Sequence, residues 1–434
     1  MKFNWIYLNP ITETGFSGSL YAIKDHFKIN PMLDGNNGDD EDGSWAEFRD
    51  FVDKAHDMEI KIMYDLVINH TAVDSDLVAR HSDWYLKKWA LVDRETDYSV
   101  KFYPLTEPLE EIEYDVDKYK IEKRIASPFA IDPADATKIT VWGDLAEIDN
   151  KNSPDIENLR DYWKKVIKFY LDLGIDGFRC DAAYKVPPEM WRSLIDYGYE
   201  QKNKVLWMAE TLGCTLSEME ETVKAGFDYI NNSSKWWDYT APWCMKQYNE
   251  FRKYAPSVGF PESHDTKRLA KETGGRLDVQ IFKYLFAAFF SAGVLMPIGY
   301  EFGFKKRINV VKMTSADLEE KHFNISEEIS EINLFKSAIK CLNSDGPMKH
   351  YSDYSDSNIL IMRKTSEQED QHLLLIYNKD WNSAHDVHIK DLEELMDLGR
   401  TVYRININRD ATIYNNEYFE KKLEPNEYVF LLQE

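Results

Sequence analysis

Short apolar runs alternate with helical stretches over most of this chain, and no other feature constrains the fold as much. Candidate strands are Trp5 to Leu8, Lys61 to Leu66, Gly177 to Asp181, Lys204 to Ala209, Ser257 to Phe260 and Gly293 to Ile298. Helices are expected between them. One is announced by Ser44-Trp45-Ala46-Glu47, a capping-box pattern followed by Phe48, Phe51 and Val52. Another is expected just after Ser153-Pro154, with Pro in the first turn, and repeats Ile156, Leu159, Trp163, Val166, Ile167, Tyr170 and Leu171 at helical spacing. Gly174 ends it and a strand follows. Repeated strand, helix, strand implies a parallel sheet, and a length of 434 residues favours closure into an eight-stranded barrel. The expected fold class is therefore α/β, a (β/α)8 TIM-type barrel with additions.

Two stretches break the alternation. From about Ala72 to Val141 there is no clean period, but Trp84, Trp89, Phe102, Tyr103, Tyr114, Tyr119 and Phe129 argue against disorder. It reads as an excursion between a strand and the next helix. After about Asp345 come short β-type runs, Ile359 to Met362, Leu373 to Tyr377, Val387 to Ile389 and Tyr428 to Leu432, which read as an all-β sandwich. The expected division is 1–71 with 142–344 as barrel, 72–141 as inserted domain, and 345–434 as C-terminal module. The charge cluster Gly38 to Asp42 reads as a surface loop.

Composition narrows the partners. Acidic side chains outnumber basic ones, 76 against 53, for a net charge of -23. Nucleic acid and anionic membrane surfaces are thereby disfavoured, and a neutral substrate suits. Twelve Trp and 26 Tyr can fill a core or stack on flat apolar ligand faces such as sugar rings. The N-terminus has no signal-peptide stretch, no run reaches a membrane span, and Cys180, Cys214, Cys244 and Cys341 show no metal-type spacing. A soluble cytoplasmic protein is expected.

Four motifs lie at or just past the ends of the proposed strands: Asp65 to His70, Gly177 to Ala183, Ala209-Glu210-Thr211, and Phe260 to Asp265. In a parallel barrel those ends share one face, where catalysis sits. Breaking a glycosidic bond with retention needs one carboxylate to attack the anomeric carbon. It needs a second, protonated carboxyl to protonate the leaving oxygen. Asp181 suits the first role because Arg179, two residues away on a strand, shares its face. Glu210 suits the second because the apolar approach Trp207-Met208-Ala209 should raise its pKa. His70, His264 and Asp265 suit gripping hydroxyls and stabilising developing positive charge. Each motif alone reads equally as a turn or a buried ion pair; their joint order carries the weight.

With those motifs the chain resembles glycoside hydrolase family 13, the α-amylase family, over the barrel, the insertion and the β module. Asp65 to His70, Gly177 to Lys185, Ala209 to Thr211 and Phe260 to Asp265 look like its four conserved regions. Gly143 to Asp149 resembles its stretch leaving the inserted domain. The resemblance implies Asp181 as nucleophile, Glu210 as acid/base and Asp265 as transition-state stabiliser. It implies Tyr21, His70, Arg179, Lys185 and His264 as substrate-binding residues. It also implies an α-glucan or maltooligosaccharide substrate, cleaved by hydrolysis or passed on by maltosyltransferase-like transglycosylation. Tyr184-Lys185 stands where calcium-binding amylases often carry Lys-His, so no cofactor is expected, although Asn69 and Asp144 offer oxygen ligands to calcium. Glu262-Ser263-His264-Asp265 lacks the Asn that usually precedes the His. The segments Asn231 to Trp237 and Tyr300 to Gly303 fall where substrate-side loops belong. Phe3 to Ile11 looks like the family's second strand, with no counterpart of the first strand and helix. The chain starts late or another segment closes the barrel. Two rival readings remain: a non-catalytic carbohydrate-binding protein on an amylase scaffold, and an unrelated metal-using barrel, which the histidine spacing disfavours.

Overall fold

The computed structural model describes residues 1–33, 41–132, 135–239, 241–312, 314–352, 357–397 and 399–434. Seven parallel strands form one curled sheet: β1 (Trp5–Leu8), β2 (Lys61–Leu66), β3 (Gly177–Cys180), β4 (Leu206–Ala209), β5 (Tyr229–Asn231), β6 (Ser257–Gly259) and β7 (Gly293–Val294). They lie side by side in that order, each parallel to its neighbour. Six match the expected runs, although β3 and β6 end one residue early and β4 and β7 are shorter still. β5 was not expected, because its three residues are too few to show a period beside the following Asn-Asn-Ser-Ser.

Alternation along each strand separates two cores. Ile62, Tyr64, Phe178, Cys180, Trp207 and Ile230 face outward and are buried under helices such as Ile156–Asp172 and Pro188–Gln201. Met63, Met208 and Val258 face inward with Trp5, Tyr7, Leu206, Tyr229 and Leu295. Burying one such side chain is worth roughly 1.5–3 kcal/mol, so a one-residue slip of register would cost the layer.

Among the described residues no strand pairs with the free edges of β1 and β7. The gap is bridged at its two ends instead. On the mouth side Leu20 N donates to Val310 O at 3.0 Å. On the other side Asn333 Nδ2 donates to Met1 O at 3.0 Å, and the Phe3 ring meets Tyr284 edge-on at 6.4 Å.

The helix from Ile156 has Asp155 at its N-cap position, without a capping side-chain hydrogen bond, so Pro154 lies just before it and not in its first turn. The helix Glu41–Asp57 already contains Ser44, which is therefore not its cap. Residues 38–40 of the charge cluster lie outside the described residues, and Glu41 and Asp42 are helical.

The excursion after β2 is itself β-structure. Lys87–Asp93 pairs antiparallel with Ser99–Tyr103 and Tyr119–Ile125, and His70–Ala72 pairs with Leu145–Glu147. These strands carry charges on their exposed positions, which hid their period. The C-terminal region is a six-stranded sheet facing the antiparallel pair His385–Ile389 and Phe419–Leu423 across a shared core. Its other face packs on the helices Leu277–Phe290 and Ser326–Ala338. At that junction Lys364 Nζ donates to Phe289 O and Phe290 O, and Lys336 Nζ to Ala288 O and Ser291 O. Two ammonium groups thus complete a helix C-terminus, where cations are favoured.

Gly174, closing the helix Ile156–Asp172, has φ of 100°, and a Cβ there would meet Val52 Cγ1 at 2.8 Å. Gly174→Ala is expected to lower unfolding stability by about 1–2 kcal/mol, read as a lower urea midpoint.

Candidate active site

The mouth of the sheet is organised around Arg179. Parallel register sets Arg179 beside Asp65 on one side and Met208 on the other. Arg179 Nη1 donates to both Asp65 oxygens at 2.9 Å and to Asp181 Oδ1 at 2.6 Å, and Nη2 lies 3.4 Å from Glu210 Oε2. Three carboxylates therefore share one buried guanidinium. Asp65, fully buried, also accepts from Tyr7 Oη at 2.5 Å and Tyr21 Oη at 2.7 Å. Burial pushes the Asp65 carboxyl up, and Arg179 opposes that.

Glu210 follows β4, and its N–H donates to Cys180 O at 3.1 Å. Its Oε2 accepts the Ala182 N–H at 2.7 Å. Ala182 aims that N–H from a left-handed conformation, φ 42°, uncommon for a residue with a side chain. Burial pushes the Glu210 carboxyl up to about 8; Arg179 opposes this and Asp181 adds to it. An oxygen that accepts a backbone N–H and faces a guanidinium is the poorer place for a proton. The Glu210 proton therefore belongs on Oε1.

Tyr21 stacks on His264, with centroids 5.8 Å apart and planes 10° apart. Its hydroxyl is 2.8 Å from His264 Nε2, which also lies 3.1 Å from Asp265 Oδ2. Asp265 is solvent-exposed, and Arg307 Nη2 donates to its backbone oxygen at 2.6 Å. His70 is buried beside the Asn69 amide, and its Nε2 has no protein hydrogen-bond partner. Burial holds the His70 and His264 imidazoles below the ordinary range, so both are neutral near pH 7.

Asp181, Glu210, Arg179, Tyr21, His264 and Asp265 are thus linked in one network, and His70 lies close enough to Asp181 to feel its charge. Lys185 is not brought in: its Nζ pairs with Glu218 at 3.5 Å, beside the capping box of the helix Leu216–Val223. Of the candidate substrate-side rings, Trp236 is exposed and edge-on to Phe260, whereas Trp237 is buried against Phe286 and Phe290. Tyr300 and Glu301 are buried, with Glu301 accepting from Gly299 N. Sequence reasoning gave no role to Asp65 or Tyr7. Inward alternation on β1 and β2, next to an arginine on β3, was the available signal. The four cysteines are free.

The calcium candidates are Asn69 and Asp144, whose backbone oxygens are used within the fold. Asn69 O accepts Ile148 N and Asp144 O accepts Val73 N, each at 2.9 Å. Among the described residues no three His, Cys, Asp or Glu side chains converge as a metal cluster.

A family profile, "Glycogen debranching enzyme, glucanotransferase domain", matches residues 1–87. The α-1,4-glucan:maltose-1-phosphate maltosyltransferase of Burkholderia pseudomallei is 24% identical over 250 residues, 55% of this chain and 22% of that protein. The 4-α-glucanotransferase of Thermotoga neapolitana is 24% identical over 346 residues, 75% of this chain and 69% of that protein. This chain thus spans less than a quarter of the maltosyltransferase. Among solved structures, the α-amylase of Geobacillus thermoleovorans, complexed with acarbose, superposes with a TM-score of 0.71 at 14% identity, covering 100% of this chain and 88% of that one. That likeness shows a shared fold. Taken with the curated relatives, it agrees with the resemblance to glycoside hydrolase family 13, the α-amylase family.

Proposed function

We propose that this protein is a retaining enzyme that cleaves α-glycosidic bonds of maltooligosaccharides or starch- and glycogen-type glucans, with α-amylase-like hydrolysis as its main outcome. The observation that carries this reading is the pair Asp181 and Glu210 on one guanidinium. Sharing it keeps the two carboxyl groups close, as double displacement requires. In the first step the Asp181 carboxylate bonds to the anomeric carbon while Glu210 Oε1 gives its proton to the departing oxygen. In the second, ionised Glu210 takes a proton from the incoming hydroxyl, whose oxygen bonds to the anomeric carbon and releases Asp181. His70 stands buried beside the proposed nucleophile, and Asp265 supplies negative charge to the oxocarbenium-like state.

Transfer to a sugar acceptor uses the same groups and differs only in what enters at the second step. The transferase names of the Burkholderia and Thermotoga relatives favour keeping this second reading. Free thiols fit a reducing cytoplasm, and among the described residues no helix is long and apolar enough to cross a membrane. The net charge of -23 supports an uncharged glucan and not nucleic acid as partner.

Maltooligosaccharide products should be shorter than the substrate; products longer than it indicate transfer. Asp181→Asn is expected to lower kcat by at least about 1,000-fold, and near wild-type turnover would refute the assignment. Glu210 must be protonated for the first step, and its folded-state pKa is raised. The rate of that step should therefore be full below pH 8 and fall as pH rises through about 8, visible in the alkaline limb of kcat/KM. A chelator is expected to leave kcat unchanged; loss restored by calcium would show a metal requirement.

A further inference from the structure

Tyr7 stands on β1, an edge strand of the sheet, and packs against the inner layer of Met63, Met208 and Val258. The register of β1 on β2 pairs Tyr7 with Met63, and Asp65, two residues further on, shares that inward face. The Tyr7 hydroxyl donates to Asp65 Oδ2 at 2.5 Å, the length of a bond to a charged oxygen. Among the described residues no strand pairs with the other edge of β1. This bond therefore ties an edge strand to the charged centre of the site.

Proton counting sets Tyr7 apart from Tyr21. Asp65 is fully buried and accepts from Arg179 Nη1 and from the two hydroxyls. Each hydroxyl has one proton to give. The Tyr21 hydroxyl is 2.7 Å from Asp65 Oδ2 and 2.8 Å from His264 Nε2, so it can serve either. The Tyr7 hydroxyl meets Asp65 and, more distantly at 3.4 Å, the Tyr21 oxygen. Tyr7 is thus the committed donor. Asp65 in turn competes with Asp181 and Glu210 for Arg179.

We infer that Tyr7 is a positioning residue for the reaction: its hydroxyl holds the Asp65 carboxylate, which fixes how the Arg179 charge is divided between Asp65 and the pair Asp181 and Glu210. The inference rests on the roles proposed for that pair. Removing the hydroxyl takes a donor from a fully buried carboxylate and drives Asp65 towards its neutral form. Arg179 then acts more strongly on Asp181 and Glu210, and favours ionised Glu210. Asp65 is also faced by Cys180 and Asp181 at the end of β3 and by the imidazoles of His70 and His264. Glu210 is also faced by Asp181, Asp265, Tyr184 and Cys214. All of these stay in place when only the Tyr7 hydroxyl is removed.

The test is Tyr7→Phe, which keeps the ring, assayed on maltoheptaose across pH. KM is expected to stay within about twofold and kcat to fall about tenfold. The alkaline limb of kcat/KM is expected to move to lower pH by about half a unit or more, because Glu210 gives up its proton sooner. Lost packing alone lowers stability or turnover without moving that limb. Asp65→Asn, which neutralises Asp65 outright, should move the limb the same way and at least as far. A limb that stays in place or moves up in either variant overturns the inference, whatever happens to kcat, and leaves the catalytic assignment standing. Wild-type protein that does not turn over maltoheptaose overturns that assignment and this inference with it.

Discussion

A single guanidinium faces three carboxylates at the mouth of this sheet, and most of the site follows from how that charge is satisfied. Arg179 is buried, and a buried cation left unpaired is strongly destabilising, by about 3–5 kcal/mol when a partner is removed. Asp65, one strand over, supplies two oxygens, and Asp181 and Glu210 supply one each. Asp65 in turn fixes Tyr7 and Tyr21 by their hydroxyls, and Tyr21 fixes His264. The chain of contacts runs from β1 to the loop after β6, across the gap that no strand fills among the described residues. The Leu20–Val310 and Arg307–Asp265 bonds close the same rim. Structural closure and assembly of the sugar site are therefore one problem with one solution.

The two carboxyls proposed to react are distinguished by local geometry. Asp181 contacts Arg179 at 2.6 Å, while Glu210 stands 3.4 Å off and takes a backbone N–H. Burial then dominates for Glu210 and favours its protonated form. Ala182, which donates that N–H, is itself left-handed. The Ala182 N–H occupies one Glu210 oxygen and leaves the other for the proton.

Legibility in the sequence followed how local each determinant is. Asp181 with Arg179 could be read because two residues on a strand share a face, and Glu210 because an apolar strand leads into it. The helix Ile156–Asp172 could be read from its long apolar stripe. Asp65 was seen as part of a motif, but its job depends on the register between β2 and β3, which no single segment contains. β5 has too few residues for a period, and the inserted sheet hides its alternation behind exposed charges. Ser44-Trp45-Ala46-Glu47 has the capping pattern, yet the helix starts earlier, at Glu41. Lys185 matched a family position, but Glu218 offers it a nearer partner, set by the packing of a helix that follows in the chain.

The central claim is that one guanidinium holds a nucleophile and an acid/base close enough for two displacements at the same carbon. The most direct test is proton NMR of the anomeric signals during early turnover of an α-linked maltooligosaccharide. The account predicts that the newly formed reducing end appears first as the α-anomer and only later equilibrates. A β-anomer appearing first would mean a single displacement by water and would contradict it.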